Sequence, residues 1–216
     1  MFVALLAGWL MTPAFAAELN PTIWEKDIAA FEASDRTNPP PKGAVLFVGS
    51  SSIRLWPNLA ADFPDWKVIG RGFGGSHIPE ATHFADRIII PYQPSKIVLY
   101  AGDNDIAKGR SPEQVFADFK EFVAKVRSAL PETKIYYLAI KPSPSRWHLS
   151  PQSKEANKLI RRHCTARRNL EYIDIWTPML GENSQPDPKY FVKDNLHLNK
   201  AGYELWAELT RKALKD

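Results

Sequence analysis

The sequence predicts a three-layer α/β/α sandwich on a five-stranded parallel sheet. Two observations carry that expectation. Short apolar runs rich in Val, Ile and Tyr alternate with segments of helical periodicity, and alternation at this spacing implies parallel strands joined by right-handed crossovers. The runs are also continuously apolar, as suits strands buried on both faces. A length of 216 residues allows one single-core domain and is short for two.

The elements follow in order. Residues 21–33 have helical spacing, with Ile23, Trp24, Ile28, Ala29 and Phe31 apolar, and a Pro-rich linker, Asn38-Pro39-Pro40-Pro41, follows. Strands are expected at 44–48, 66–70, 96–100, 134–140 and 170–175, because each is a short β-type apolar run. Helices are expected between them at 54–61, 79–88, 112–129 and 151–168. A last helix covers 200–215 through apolar Tyr203, Leu205, Trp206, Leu209 and Leu214. The expected class is thus a flavodoxin-like sandwich, whose ligands bind beyond the carboxyl ends of the strands.

Composition narrows the function classes. With 28 basic and 24 acidic residues the net charge is only +4, and no basic-aromatic repeat or zinc-ligand pattern points to nucleic acid. The densest basic run, Arg161-Arg162 through Arg167-Arg168, reads as a solvated helix face. Residues 2–16 are uncharged and apolar and close with Ala14-Phe15-Ala16, an A-x-A cleavage pattern, although a positive n-region is missing. They predict a signal peptide at 1–16 cleaved near Ala16, a secreted or periplasmic bacterial location, and no stable membrane insertion afterwards. The remaining chain divides into an N-terminal helix and Pro-rich linker at 17–43 and one domain at 44–216. The single cysteine, Cys164, excludes an intrachain disulfide and reads as a packed thiol.

Four signals sit where the strands end. After the first strand comes Gly49-Ser50-Ser51-Ser52, either a helix-capping turn or the site of a nucleophilic hydroxyl beside a backbone amide. It is not G-x-S-x-G, which disfavours an α/β-hydrolase elbow. After the second strand, Gly70-Arg71-Gly72-Phe73-Gly74-Gly75 formally matches G-x-G-x-x-G. A dinucleotide site would prefer that motif on the first strand, and unobstructed amides for an anion hole are the alternative use. After the third strand, Asn104 in Gly102-Asp103-Asn104-Asp105 either closes a turn or donates its amide to developing negative charge. Near the end, Asp194-Asn195-Leu196-His197 places a carboxylate and an imidazole three residues apart. That pair serves as a helix cap with a surface histidine, or as an oriented general base.

Together, in this order, these blocks resemble the SGNH/GDSL hydrolase superfamily of serine esterases over roughly 170 residues; the look is that of its platelet-activating-factor acetylhydrolase-like branch. The resemblance implies Ser51 as nucleophile, Asp194 and His197 completing the triad, and an oxyanion hole from the amides of Ser51 and Gly75 and the side chain of Asn104. It implies a short-chain, acetyl-type ester of a small molecule or carbohydrate as substrate, with no metal or cofactor. Two departures stand out: Ser50 replaces the usual Asp of the first block, leaving Ser50 and Ser52 as rivals to Ser51, and Gly70 replaces the Asn that often opens the second. Competing expectations are a non-catalytic carbohydrate-binding module on this fold and a flavodoxin-like nucleotide-binding protein. His77, His83 and His148 read as surface or structural. Arg146 and Trp147, in the loop leaving the fourth strand, line the active edge either as substrate-shaping side chains or as a plain surface loop.

Overall fold

Each of the five apolar runs forms a strand: β1 (Val45–Gly49), β2 (Val68–Gly72), β3 (Lys96–Tyr100), β4 (Lys134–Leu138) and β5 (Leu170–Ile173). All pair in parallel, in the order β2-β1-β3-β4-β5, the flavodoxin-like order. The computed structural model describes residues 20–215, so the apolar leader at 1–16 lies outside the described residues. The helices are α1 (Glu25–Thr37), α2 (Ser51–Arg54), α3 (Ile78–His83), α4 (Ala85–Ile88), α5 (Asp103–Ala107), α6 (Pro112–Ala129), α7 (Ser150–Thr165) and α8 (Lys200–Leu214).

Successive strand residues face opposite sides of a sheet, and here the two sides bury separate clusters. Leu46, Val48, Ile97, Leu99, Ile135 and Tyr137 pack with Ile28 of α1, Ile78 of α3, Ile88 of α4, Phe119 of α6 and Ile160 of α7. On the other side Val45, Phe47, Val98, Tyr100, Tyr136 and Leu138 meet Tyr203, Trp206 and Leu214 of α8. Three layers result.

The structure corrects several element boundaries. The helix expected at 54–61 is replaced by the single turn α2, which ends at Arg54, and residues 57–62 form turns. Pro57 lacks an amide hydrogen and pushes the preceding residue out of helical geometry. Trp56 instead packs on Phe47, Phe63, Tyr203 and Trp206, with its indole N–H donating to Asp62 at 2.7 Å. In consequence β2 starts two residues later than expected. The helix expected at 79–88 is interrupted at Phe84, where ψ opens to 6°. The N-terminal helix is shifted to α1, preceded by a 3-10 turn at Pro21–Trp24. Beyond Leu138, Asn157 of α7 substitutes for a strand neighbour: its side chain accepts from Ile140 N at 2.8 Å and donates to Ile140 O at 2.9 Å.

One contact aligns the central strand ends. Gly49 pairs in register with Gly72 on one side and Tyr100 on the other. It adopts φ of +139°, and a Cβ there would lie 1.9 Å from the Tyr100 carbonyl oxygen. Only glycine allows that approach, which lets Ser50 N donate to Tyr100 O at 3.0 Å. Gly49→Ala is therefore expected to destabilise the fold by about 3 kcal/mol or more. Thermal unfolding checks this, and a melting temperature matching the parent would contradict it.

Candidate active site

Ser51 opens α2 directly beyond β1, with Ser50 as the extended N-cap residue (φ −87°, ψ −160°). This short helix is held from below by Tyr203 of α8, whose hydroxyl donates to Ser52 O at 3.0 Å. Ser50 and Ser52 are both buried, and neither hydroxyl oxygen has a hydrogen-bond partner among the described residues. Ser51 alone of the three reaches outward: its Oγ lies 3.0 Å from His197 Nε2. Of the three serines, Ser51 is thus the one in contact with His197.

His197 in turn sits 2.5 Å, Nδ1 to Oδ2, from Asp194. The other carboxylate oxygen accepts from the backbone amides of Leu196 (2.8 Å) and His197 (2.9 Å). Asn195 closes this loop in the left-handed region, with φ of +57°, which Asn tolerates better than most residues. A carboxylate only accepts hydrogen bonds, so the imidazole proton belongs on Nδ1 and the Nε2 lone pair faces the serine hydroxyl. Burial works to raise the Asp194 pKa, but the hydrogen bonds from the His197 ring and the two amides outweigh it and hold the carboxyl at about 2. The carboxylate therefore stays charged across ordinary pH.

The second and third blocks meet beside this line. Gly75 is exposed, in the turn after β2, and a Cβ on it would lie 3.6 Å from Asn104 Nδ2. The preceding Gly74, at φ of +43°, leaves room for the Trp24 ring, which a Cβ would approach to 1.7 Å. Trp24 also packs edge-on against Phe73. The N-terminal segment therefore wedges the back of this turn. Asn104, on α5, donates from Nδ2 to Ser76 O at 3.2 Å. Gly70 and Gly72 are strand residues of β2, and of this run Gly74 and Gly75 lie in the turn that follows.

Polar side chains at this edge make contacts that sequence spacing mostly does not signal. Lys141, buried at the start of the loop after β4, donates from Nζ to Tyr100 Oη and Asp103 Oδ2, each at 2.9 Å. Arg146 donates to Asn104 Oδ1 and ion-pairs with Asp103. His77 is buried as the cap of α3, where its ring and backbone amide meet the Glu80 carboxylate at 3.1 and 2.9 Å. These partners are 38, 42 and 3 residues apart in sequence; only the last pairing has a local signal, the capping spacing. His83 packs edge-on against Phe84, and His148 is exposed. Cys164 is buried as expected, and burial pushes its thiol up to about 12.

A hydroxyl, an imidazole and a carboxylate in line at the carboxyl edge of a parallel sheet define a class, that of serine-hydrolase-like α/β proteins. Comparison with known proteins supplies the particular family: residues 43–205 match the GDSL-like lipase/acylhydrolase family, and the chain belongs to it. It is a carboxylic ester hydrolase. A rice (Oryza sativa subsp. japonica) protein, GDSL esterase/lipase WDL1, is 23% identical over 82% of this chain and 80% of its own length. A Streptococcus pneumonia structure carrying a platelet-activating-factor assignment has a TM-score of 0.78 at 19% identity, covering 89% of this chain and 94% of its own. An acetylxylan esterase from Geobacillus stearothermophilus gives a TM-score of 0.63 at 13% identity, with 80% and 94% covered. The family membership overrides the expectation of a non-catalytic module.

One buried carboxyl gives a pH test. Asp105 is fully buried and accepts from Ile78 N at 3.1 Å. Burial pushes its carboxyl up to about 7, against the charge of His77 and the Ile78 amide. A carboxyl that binds its proton more tightly when folded loses stability as pH rises from the ordinary carboxylate range, about 4, through its folded value. Asp105→Asn keeps an acceptor for Ile78 N and removes the titration. Its melting temperature relative to the parent should climb between about pH 4 and about pH 7 and then level; parallel curves would show that Asp105 is charged throughout.

Proposed function

We propose that the chain hydrolyses short-chain, acetyl-type carboxylic esters through Ser51, His197 and Asp194. The observation that carries this reading is the unbroken line from Ser51 Oγ to His197 Nε2 (3.0 Å) and from His197 Nδ1 to Asp194 (2.5 Å). As the Ser51 oxygen bonds to the ester carbonyl carbon, its proton passes to Nε2, and the charged imidazole is stabilised by the carboxylate beside it. The resulting oxyanion takes hydrogen bonds from the amides of Ser51 and Gly75 and from Asn104 Nδ2, donors aimed at charge that exists only in the transition state. Collapse breaks the bond to the alcohol, which leaves with the proton from Nε2. Water then attacks the acyl-serine, gives its proton to His197, and releases the acid as Ser51 recovers its own proton.

The acetyl preference rests on two supports. The sequence carries no long apolar insertion of the kind that forms a lipase lid, and the acetylxylan esterase shares the architecture. An acetylated carbohydrate suits an exported enzyme, which the leader at 1–16 suggests.

Turnover of p-nitrophenyl acetate tests the assignment. Ser51→Ala and His197→Ala should each lower kcat by about 10³-fold or more, whereas Ser50→Ala and Ser52→Ala should retain activity within about 10-fold. Undiminished turnover in Ser51→Ala would overturn it. Across p-nitrophenyl esters of increasing chain length, kcat/KM should fall beyond the shortest acyl groups, and a maximum at long chains would contradict the acetyl reading.

A further inference from the structure

The loop leaving β4 holds a chain of charges that ends on Asn104. Lys141 bridges Tyr100 and Asp103, and Asp103 Oδ2 in turn holds Arg146 Nη1 at 3.2 Å. Arg146 then donates two hydrogen bonds, from Nη1 at 3.0 Å and Nη2 at 3.1 Å, to Asn104 Oδ1. Arg146 sits at a kink in the 3-10 segment Pro144–Leu149, with φ of −117° and ψ of 18°. The neighbouring Ser145 N donates to Asn195 O at 3.1 Å. One short loop therefore touches both the Asn104 block and the Asp194–His197 block.

The two ends of an Asn side chain have nearly the same shape and opposite hydrogen-bonding character. If Oδ1 faced the site, it would repel an oxyanion; if Nδ2 faces it, the amide donates. A guanidinium has donors only, in a rigid planar fork, so its contact with Asn104 admits the carbonyl oxygen and rejects the amide nitrogen. That choice directs Nδ2 toward the Gly75–Ser76 turn, where it already holds Ser76 O. The cation at the carbonyl end also polarises the amide and strengthens its remaining N–H as a donor.

We propose that Arg146 is a positioning residue for ester hydrolysis, fixing the orientation of the Asn104 amide and strengthening it as an oxyanion donor. This rests on the reading of Asn104 given above. The buried Lys141–Asp103 pair is its foundation. Burial alone would raise the Asp103 carboxyl and lower the Lys141 ammonium; for Asp103 the charges of Lys141 and Arg146 outweigh burial, and its pKa is held below the ordinary value. Asp103 thus remains an anion that anchors the guanidinium. Lysine cannot replace the fork, because an ammonium is a point charge without two coplanar donors.

A mutant cycle on p-nitrophenyl acetate hydrolysis tests this, with Arg146→Ala, Arg146→Lys, Asn104→Ala and the Arg146→Ala/Asn104→Ala double variant, each also measured for melting temperature. Asn104→Ala should lower kcat by roughly 10²-fold or more, and Arg146→Ala by roughly 10- to 100-fold with KM changed less than about 3-fold. Arg146→Lys should fall between Arg146→Ala and the parent. In the Asn104→Ala background, Arg146→Ala should cost less than about 3-fold further, since its partner is already gone. An equal loss in both backgrounds, a rise in KM alone, or full activity in Arg146→Ala overturns the proposal while leaving the Asn104 assignment standing. Full activity in Asn104→Ala removes the Asn104 assignment and the proposal together.

Discussion

The alignment of three parallel strand ends is the constraint on which the site depends. Gly49, Gly72 and Tyr100 lie in one row across β2, β1 and β3. The segments that follow them carry the serines, the glycine turn and Asn104. A parallel sheet sends every strand's carboxyl end to the same edge, so three stretches far apart in sequence meet there without any long-range motif. The Gly49 conformation tightens that meeting, because the approach of Tyr100 O leaves no room for a side chain. Phe73 N donates to Gly49 O at 3.0 Å, tying the glycine turn to the same point.

The fourth element arrives differently. Asp194 and His197 lie on an irregular loop between Phe191 and Leu198, which form an isolated antiparallel bridge. Within it, Val192 N donates to His197 O and Asn195 N to Val192 O, each at 2.9 Å. The loop is thus locally closed, and α8 anchors it to the sheet through Tyr203 and Trp206. Tyr203 serves twice, since its hydroxyl also holds the serine turn from below. His197 and Ser51 are therefore referenced to one helix, which suits a contact whose geometry must be held closely.

Much of this was legible in the sequence, and the illegible parts share a cause. The strands announce themselves as buried apolar runs, and the Asp-x-x-His spacing encodes its own local geometry. The helix expected at 54–61 failed because Trp56 gains more from an aromatic cluster than Pro57 allows a helix to offer. The family resemblance pointed to Ser51, but the residues alone left Ser50 and Ser52 as rivals, because burial of that flanking pair is a property of the fold. Arg146, Lys141 and Asp103 were invisible as a unit for the same reason: a charge network across some forty residues of chain is defined by the fold and not by spacing.

The central claim is that Ser51 is the hydroxyl activated by His197. Reaction with a fluorophosphonate, which phosphonylates an activated serine, followed by intact-mass analysis and peptide mapping, tests it most directly. The account predicts one adduct per chain, on Ser51, formed with loss of esterase activity and absent in His197→Ala. An adduct on Ser50 or Ser52, or complete loss of activity with Ser51 unmodified, would contradict it.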